Sequence, residues 1–139
     1  AGGLSAKYRL DYGKDNAIGR QTFEYLHADP DVFRRELASS RTFVLKTEAD
    51  WLQSQGLGRR TTSRDLLIFG ENGPIDNELR FHDECVRHKV LDLIGDLSLA
   101  GCEIEGRIVA HRSGHRLNAE LVRVLLAEGE RLDERRLSA

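Results

Sequence analysis

Val86, Val90, Leu93, Ile94 and Leu97 recur at helical spacing through the segment CVRHKVLDLIGDL, residues 85–97. A helix carrying such a stripe must bury it against a second layer, so this segment limits the chain to layered folds. The same helix carries His88, Asp92 and Asp96, each one turn from the next, among those apolar neighbours. With an advance of about 100° per residue, Asp92 falls about 40° from His88, Asp96 about 80° and Cys85 about 60°. One narrow side of a packed helix thus holds an imidazole, two carboxylates and a thiol.

The helix is predicted over about 83–99, with Gly101 ending it. Before it, loose alternation of Leu4, Ala6, Tyr8 and Leu10 predicts a strand over about 5–12, and GKDNAIG is turn chemistry. GRQTFEYLH predicts a second strand. Asp29 or Asp31, on either side of Pro30, caps a helix in VFRRELASS. RTFVLK is a short strand. Thr47 opens T-E-A-D, an acidic variant of the capping box, and the helix ADWLQSQ stops at Gly56. DLLIFG is an apolar strand and GENGPIDNE a loop. CEIEGRIVAHRSG alternates as a strand that Gly114 breaks. RLNAELVRVLLAEGERL is the last helix, with Leu117, Leu121, Val124, Leu125 and Ala127 expected to face inward. The polar tail DERRLSA is expected to fray. The order of elements predicts an α+β fold: a two-layer sandwich of a roughly five-stranded mixed sheet and two long helices. A small βαβ insert spans about residues 41–70.

A length of 139 residues suits one domain, 1–139, with a real core. A formal net charge of -2 suggests neither a nucleic acid nor an acidic membrane surface as partner. No apolar run approaches the roughly 20 residues that span a bilayer. Cys85 and Cys102 form no CxxC pair and no signal peptide precedes them, so both are read as reduced and the chain as cytoplasmic. The opening AGGLSAKYRL, which lacks a methionine, is expected of a domain cut from something longer or of a processed product. Arg59, Arg60 and Arg64 form a basic cluster, read first as a solvated loop and second as a phosphate site.

A His and an Asp at i and i+4 lie over each other on a helix and can bind one metal ion together. Imidazole and carboxylate are both zinc ligands, and a second carboxylate one turn on can fix the tautomer of a neighbouring histidine. The spacing alone is also that of a common surface ion pair; the apolar flanks shift the balance toward a site. Cys85 is either a further ligand or, by greater weight, a small buried apolar residue. HRSGH, residues 111–115, joins a strand to a helix and puts His115 at a helix N-terminus. There it is a general acid, an oxyanion donor, or a helix-start residue with a local hydrogen bond. His111 reads as an exposed or half-buried strand residue, and His27 and His82 as loop residues without a pattern.

Taken together, SSRTF, FHDECVRHKVLDLIGDL, the following I-x-G strand and AHRSGHRLNAELVRVLL resemble the UDP-3-O-acyl-N-acetylglucosamine deacetylase family, the zinc-dependent enzymes of lipid A biosynthesis. The resemblance runs from about Arg41 to Ala127, and DYGKDNAIGRQTF upstream is similar to the start of the family's second, C-terminal domain. By position, the resemblance makes His88 and Asp92 zinc (Zn2+) ligands and puts Lys89 near the substrate. Asp96 pairs with His115, the general acid or electrostatic stabiliser. The Thr42 hydroxyl lies beside the zinc and helps polarise the acetyl carbonyl, and Phe43 borders the site. The family's first domain carries a glutamate-histidine pair, the general base and third ligand; no histidine here follows a glutamate. The resemblance therefore implies the second domain alone, inactive by itself. Its substrate would be UDP-3-O-acyl-N-acetylglucosamine and its partner the N-terminal half of the enzyme. Cys85 stands where the family usually has phenylalanine, and the loop GRRTTSRD is more basic than the family's glycine-rich one. The alternatives are a non-catalytic module of the same fold that binds a nucleotide sugar or an acyl chain, and a structural domain whose stripe is an ion-pair row.

Overall fold

The computed structural model describes residues 3–26 and 30–130. His27, Asp29 and the C-terminal tail lie outside the described residues. The elements run β1 (Leu4–Asp11), β2 (Arg20–Tyr25), α1 (Pro30–Glu36), β3 (Thr42–Leu45), α2 (Lys46–Ser54), β4 (Leu66–Gly70), β5 (Gly73–Pro74), α3 (Glu84–Ser98), β6 (Gly106–His111) and α4 (His115–Glu128). The architecture is α+β, as the hydrophobic periods predict.

The strands divide differently from the expected single sheet of five. β2, β1 and β6 form one three-stranded sheet in that order, and β3, β4 and β5 form another. Each is mixed: β1 pairs antiparallel with β2 and parallel with β6, while β4 pairs parallel with β3 and antiparallel with β5. Period-two alternation identifies a strand but not its neighbour, which is set by where the connecting helix returns the chain. The stretch GENGPIDNE, read as loop, contributes the two-residue β5.

In the second sheet β3, α2 and β4 form a βαβ unit, with α2 as the crossover between two parallel strands. Its helix starts at Lys46, after Leu45 as N-cap, so Thr47 lies inside the first turn. Glu48 is the residue that caps, its carboxylate accepting the Leu45 N–H at 3.0 Å. Gly56 follows the helix at φ +74°, a left-handed conformation that favours glycine.

The main core lies between the first sheet and α3. Ala6, Tyr8 and Leu10 of β1 meet Val86, Val90, Leu93 and Leu97 of α3, all buried, with Leu67 and Phe69 of β4 in the same cluster. Ile94 packs at its edge. α4 packs against α3. Its rotation departs from the expected one: Leu117 and Val124 are exposed, whereas Asn118 and Val122 are buried, with Leu121 and Leu125 at the core margin. Hydrogen bonds made by Asn118 decide this phase, as described next.

Candidate metal centre

His88, Asp92 and Asp96 line one side of α3, with 13%, 21% and 18% of their side chains exposed. Such partial burial keeps each group reachable and limits screening by water. β3 and the turn before it close over His88. The ring Nδ1 lies 3.0 Å from the main-chain carbonyl of Ser40. A carbonyl only accepts, so Nδ1 carries a proton and Nε2 keeps the ring's free lone pair in the neutral form. Nε2 then lies 3.2 Å from the Thr42 hydroxyl, which can donate to it, and 3.3 Å from Asp92 Oδ1. A His and an Asp one turn apart at that separation can form an ion pair or share a bound cation.

The turn after β6 delivers His115. Arg112 takes a left-handed φ of +52° and its N–H donates to the Arg9 carbonyl at 3.0 Å, which swings Ser113 and Gly114 toward α3. α4 then starts with His115, its Nδ1–H donating to Asp96 Oδ2 at 2.7 Å. Its Nε2 lies 4.0 Å from Asp92 Oδ2. The same Asp96 oxygen accepts the Asn118 side-chain amide at 2.9 Å, and the Ser113 hydroxyl contacts Asn118 Oδ1 at 2.5 Å. The Asp96 carboxylate only accepts, so the NH2 end of the amide faces it and Oδ1 is left to accept from the Ser113 hydroxyl. Asn118 therefore turns inward, and α4 cannot present Leu117 and Val124 to the core.

Phe43 sets its ring edge against His88, with centroids 6.4 Å apart, and meets Tyr12 at 5.9 Å. Lys89 stands over the Tyr8 ring with its Nζ 5.9 Å from the centroid. The Tyr8 hydroxyl donates to the Ser113 carbonyl, and burial pushes its pKa up to about 12. Tyr8 is thus a neutral prop beneath the HRSGH turn. Every residue singled out for the site, namely Thr42, Phe43, His88, Lys89, Asp92, Asp96 and His115, lies in this one neighbourhood of α3, β3 and the start of α4.

Cys85 takes no part. It is 1% exposed within the core cluster, and burial pushes its thiol up to about 12. His111 is exposed, and His82 sits 3.8 Å from Asp83 with 91% of its side chain in solvent. Arg59, Arg60 and Arg64 lie in an exposed loop. Among the described residues no three His, Cys, Asp or Glu side chains cluster as a metal cage.

The residue reading missed Arg41, Glu84 and Asn118. Glu84 is fully buried, one turn before His88, and binds the Arg41 guanidinium at 2.8 Å. The available signal was a charged residue at helical spacing from an apolar stripe, together with an arginine just before a strand.

A family model described as LpxC: UDP-3-O-acyl N-acetylglycosamine deacetylase matches residues 1–127. A curated relative from Syntrophus aciditrophicus (strain SB), named UDP-3-O-acyl-N-acetylglucosamine deacetylase, is 37% identical over 124 residues, which are 88% of this chain and 39% of the relative. A relative of the same name from Brucella ovis is 42% identical over 113 residues, or 80% of this chain and 39% of the relative. The chain thus spans well under half the length of the curated relatives it matches. With the family match running from residue 1 to 127, the chain belongs to the UDP-3-O-acyl N-acetylglycosamine deacetylase (LpxC) family.

Proposed function

We propose that this chain is the C-terminal domain of a cytoplasmic zinc deacetylase that removes the N-acetyl group of UDP-3-O-acyl-N-acetylglucosamine in lipid A biosynthesis. In this reading the remaining length of the enzyme supplies a third ligand and the general base. The observation that carries it is the approach of His88 Nε2 to Asp92 Oδ1 at 3.3 Å, which brings a nitrogen and an oxygen donor side by side. Nitrogen and oxygen donors of this kind suit zinc, and the Ser40 carbonyl already holds the imidazole in the ligating tautomer.

Zinc held there supplies a Lewis acid for the acetamide carbonyl and lowers the pKa of water. His88 and Asp92 hold the ion. With zinc on His88 and Asp92, the Thr42 hydroxyl, which lies 3.2 Å from His88 Nε2, would be placed to donate to the acetyl oxygen. Asp96 keeps the proton of His115 on Nδ1. In its cationic form His115 also carries a proton on Nε2, which it delivers to the departing amine or uses to stabilise negative charge. Lys89 and Phe43 border the substrate. Two ligands leave a zinc ion open to water, so residues 1–139 alone bind it weakly and turn over no substrate.

The test replaces Asp92 in the full-length enzyme, that is, this chain with the rest of the deacetylase length. Asp92→Ala is expected to lose bound zinc and at least about a hundredfold in kcat/KM, in keeping with removal of a direct ligand. Wild-type activity and zinc content in that variant would overturn the reading. Retained substrate binding without any activity in the wild-type enzyme would favour a non-catalytic nucleotide-sugar or acyl-chain module.

A further inference from the structure

Residues 40, 41 and 42 grip α3 at two points one turn apart. Ser40 and Thr42 both address His88: the Ser40 carbonyl lies 3.0 Å from Nδ1 and the Thr42 hydroxyl 3.2 Å from Nε2. Arg41, between them, points to Glu84. Its main-chain N–H and its Nε donate to Glu84 Oε1 at 3.0 and 2.8 Å, and its Nη2 donates to Oε2 at 3.1 Å. The rest of the guanidinium fork ties down two further segments. Nη1 donates to the Ser63 carbonyl at 3.2 Å and to Asn77 Oδ1 at 2.9 Å, and Nη2 to the Glu78 carbonyl at 2.7 Å. Glu84 Oε2 also accepts the Arg80 N–H at 2.8 Å. Arg41 is 8% exposed and Glu84 fully buried.

A buried ion pair is poor evidence for stability as such, because desolvation consumes most of the attraction. Its known use is to fix one arrangement among several, and a guanidinium fork does so more stringently than a point charge. Here the arrangement fixed is geometric. Glu84 and His88 share one side of α3, and the backbone at 41 is pinned to the first. The two atoms that read the second belong to the residues on either side. If residue 41 shifts, the Nδ1 acceptor and the Nε2 neighbour leave His88 together.

On the reading of His88 as a zinc ligand, we propose that Arg41 and Glu84 are positioning residues of the metal centre, holding Ser40 and Thr42 on the two nitrogens of the His88 ring. The pair touches neither metal nor substrate. It acts by keeping the imidazole in one tautomer and one rotation, and by keeping the Thr42 hydroxyl beside the metal position. Outer groups that orient a metal-bound histidine are worth roughly 10–100-fold in metal affinity or activity.

The experiment compares Arg41→Lys, the paired change Arg41→Met with Glu84→Leu, and His88→Ala, all in the full-length enzyme. Zinc affinity is measured by competition with a chromogenic chelator, folding by circular dichroism and thermal melting, and kinetics with kcat and KM separated. The paired change removes both buried charges at similar volume, whereas a single truncation leaves one of them stranded. The expected result is a folded paired variant and a folded Arg41→Lys variant whose zinc affinities fall about 10–100-fold, with kcat reduced and KM within about twofold. Folded variants with zinc affinity and kcat within about twofold of wild type overturn the proposal and make the pair purely structural. Failure of both to fold overturns it too, since the pair would then be a requirement of the fold. His88→Ala separates this from the underlying reading: zinc affinity untouched by His88→Ala refutes the metal centre itself, whereas a loss there with intact positioning variants refutes only the role of Arg41 and Glu84.

Discussion

At the scale of single residues, environment separates groups that composition treats alike. Cys85 and Cys102 are both free thiols, one buried and one exposed. Burial pushes the Cys85 thiol up to about 12, so it carries no thiolate at neutral pH. A thiol reagent is therefore expected to label Cys102 in the native protein and Cys85 only after denaturation; mass spectrometry of the labelled peptides checks this. Glu84 is governed by a contest. Burial, the largest influence, raises its carboxyl, but the Arg41 side chain and the N–H groups of Arg80 and Arg41 outweigh it and hold the group below the usual glutamate range. A lowered carboxyl contributes stability that is complete above the unfolded value, about 4.3, and is lost as pH falls through the folded value. Unfolding free energy measured by urea titration should thus decline as pH drops below about 4, and Glu84→Gln should flatten that part of the decline.

At the scale of elements, α3 was legible because its apolar residues are long-lived in period and its ends are marked. Val86, Val90, Leu93 and Leu97 fall on the buried side as expected. α4 was harder, because its Leu, Val and Ala residues lie all round the helix, and apolarity alone does not choose which side is buried. The choice falls to polar bonds, Asn118 to Asp96 and Ser113 to Asn118, which periodicity does not register. Sheet partition was hidden for a related reason: β1 reads as a strand from its own alternation, but its parallel pairing with β6 joins residues about a hundred positions apart. The two helices give a direct contrast. Leu93→Ala, at a position 1% exposed, is expected to cost about 2–5 kcal/mol. Leu117→Ala, at 59% exposed, should stay within about 0.5 kcal/mol. Denaturant midpoints at unchanged slope measure both, and a large loss at Leu117 would mean that α4 is rotated.

At the scale of the whole molecule, spacing alone offered parts of the site, and only the family resemblance implied that Asp96 meets His115 and that Thr42 lies near His88. His88, Asp92 and Asp96 announce themselves by spacing on one helix. Thr42 and His115 come from β3 and α4, and only the fold brings them to the same place. The clamp on His88 by Ser40, and the Arg41–Glu84 pair behind it, lie further still from any local pattern, since they join residues more than forty positions apart. No described helix is long and apolar enough to cross a membrane, and the chain spans 39% of the length of its relatives. We propose that His88 and Asp92 supply two ligands of a zinc site that the remaining length completes. This proposal is tested most directly by zinc affinity, measured by chelator competition on residues 1–139, on the full-length enzyme, and on its His88→Ala and Asp92→Ala variants. The account predicts tight, one-to-one zinc in the full-length enzyme and affinity at least about a hundredfold weaker in the shorter chain and in both variants. Equal zinc affinity in all four proteins would contradict it.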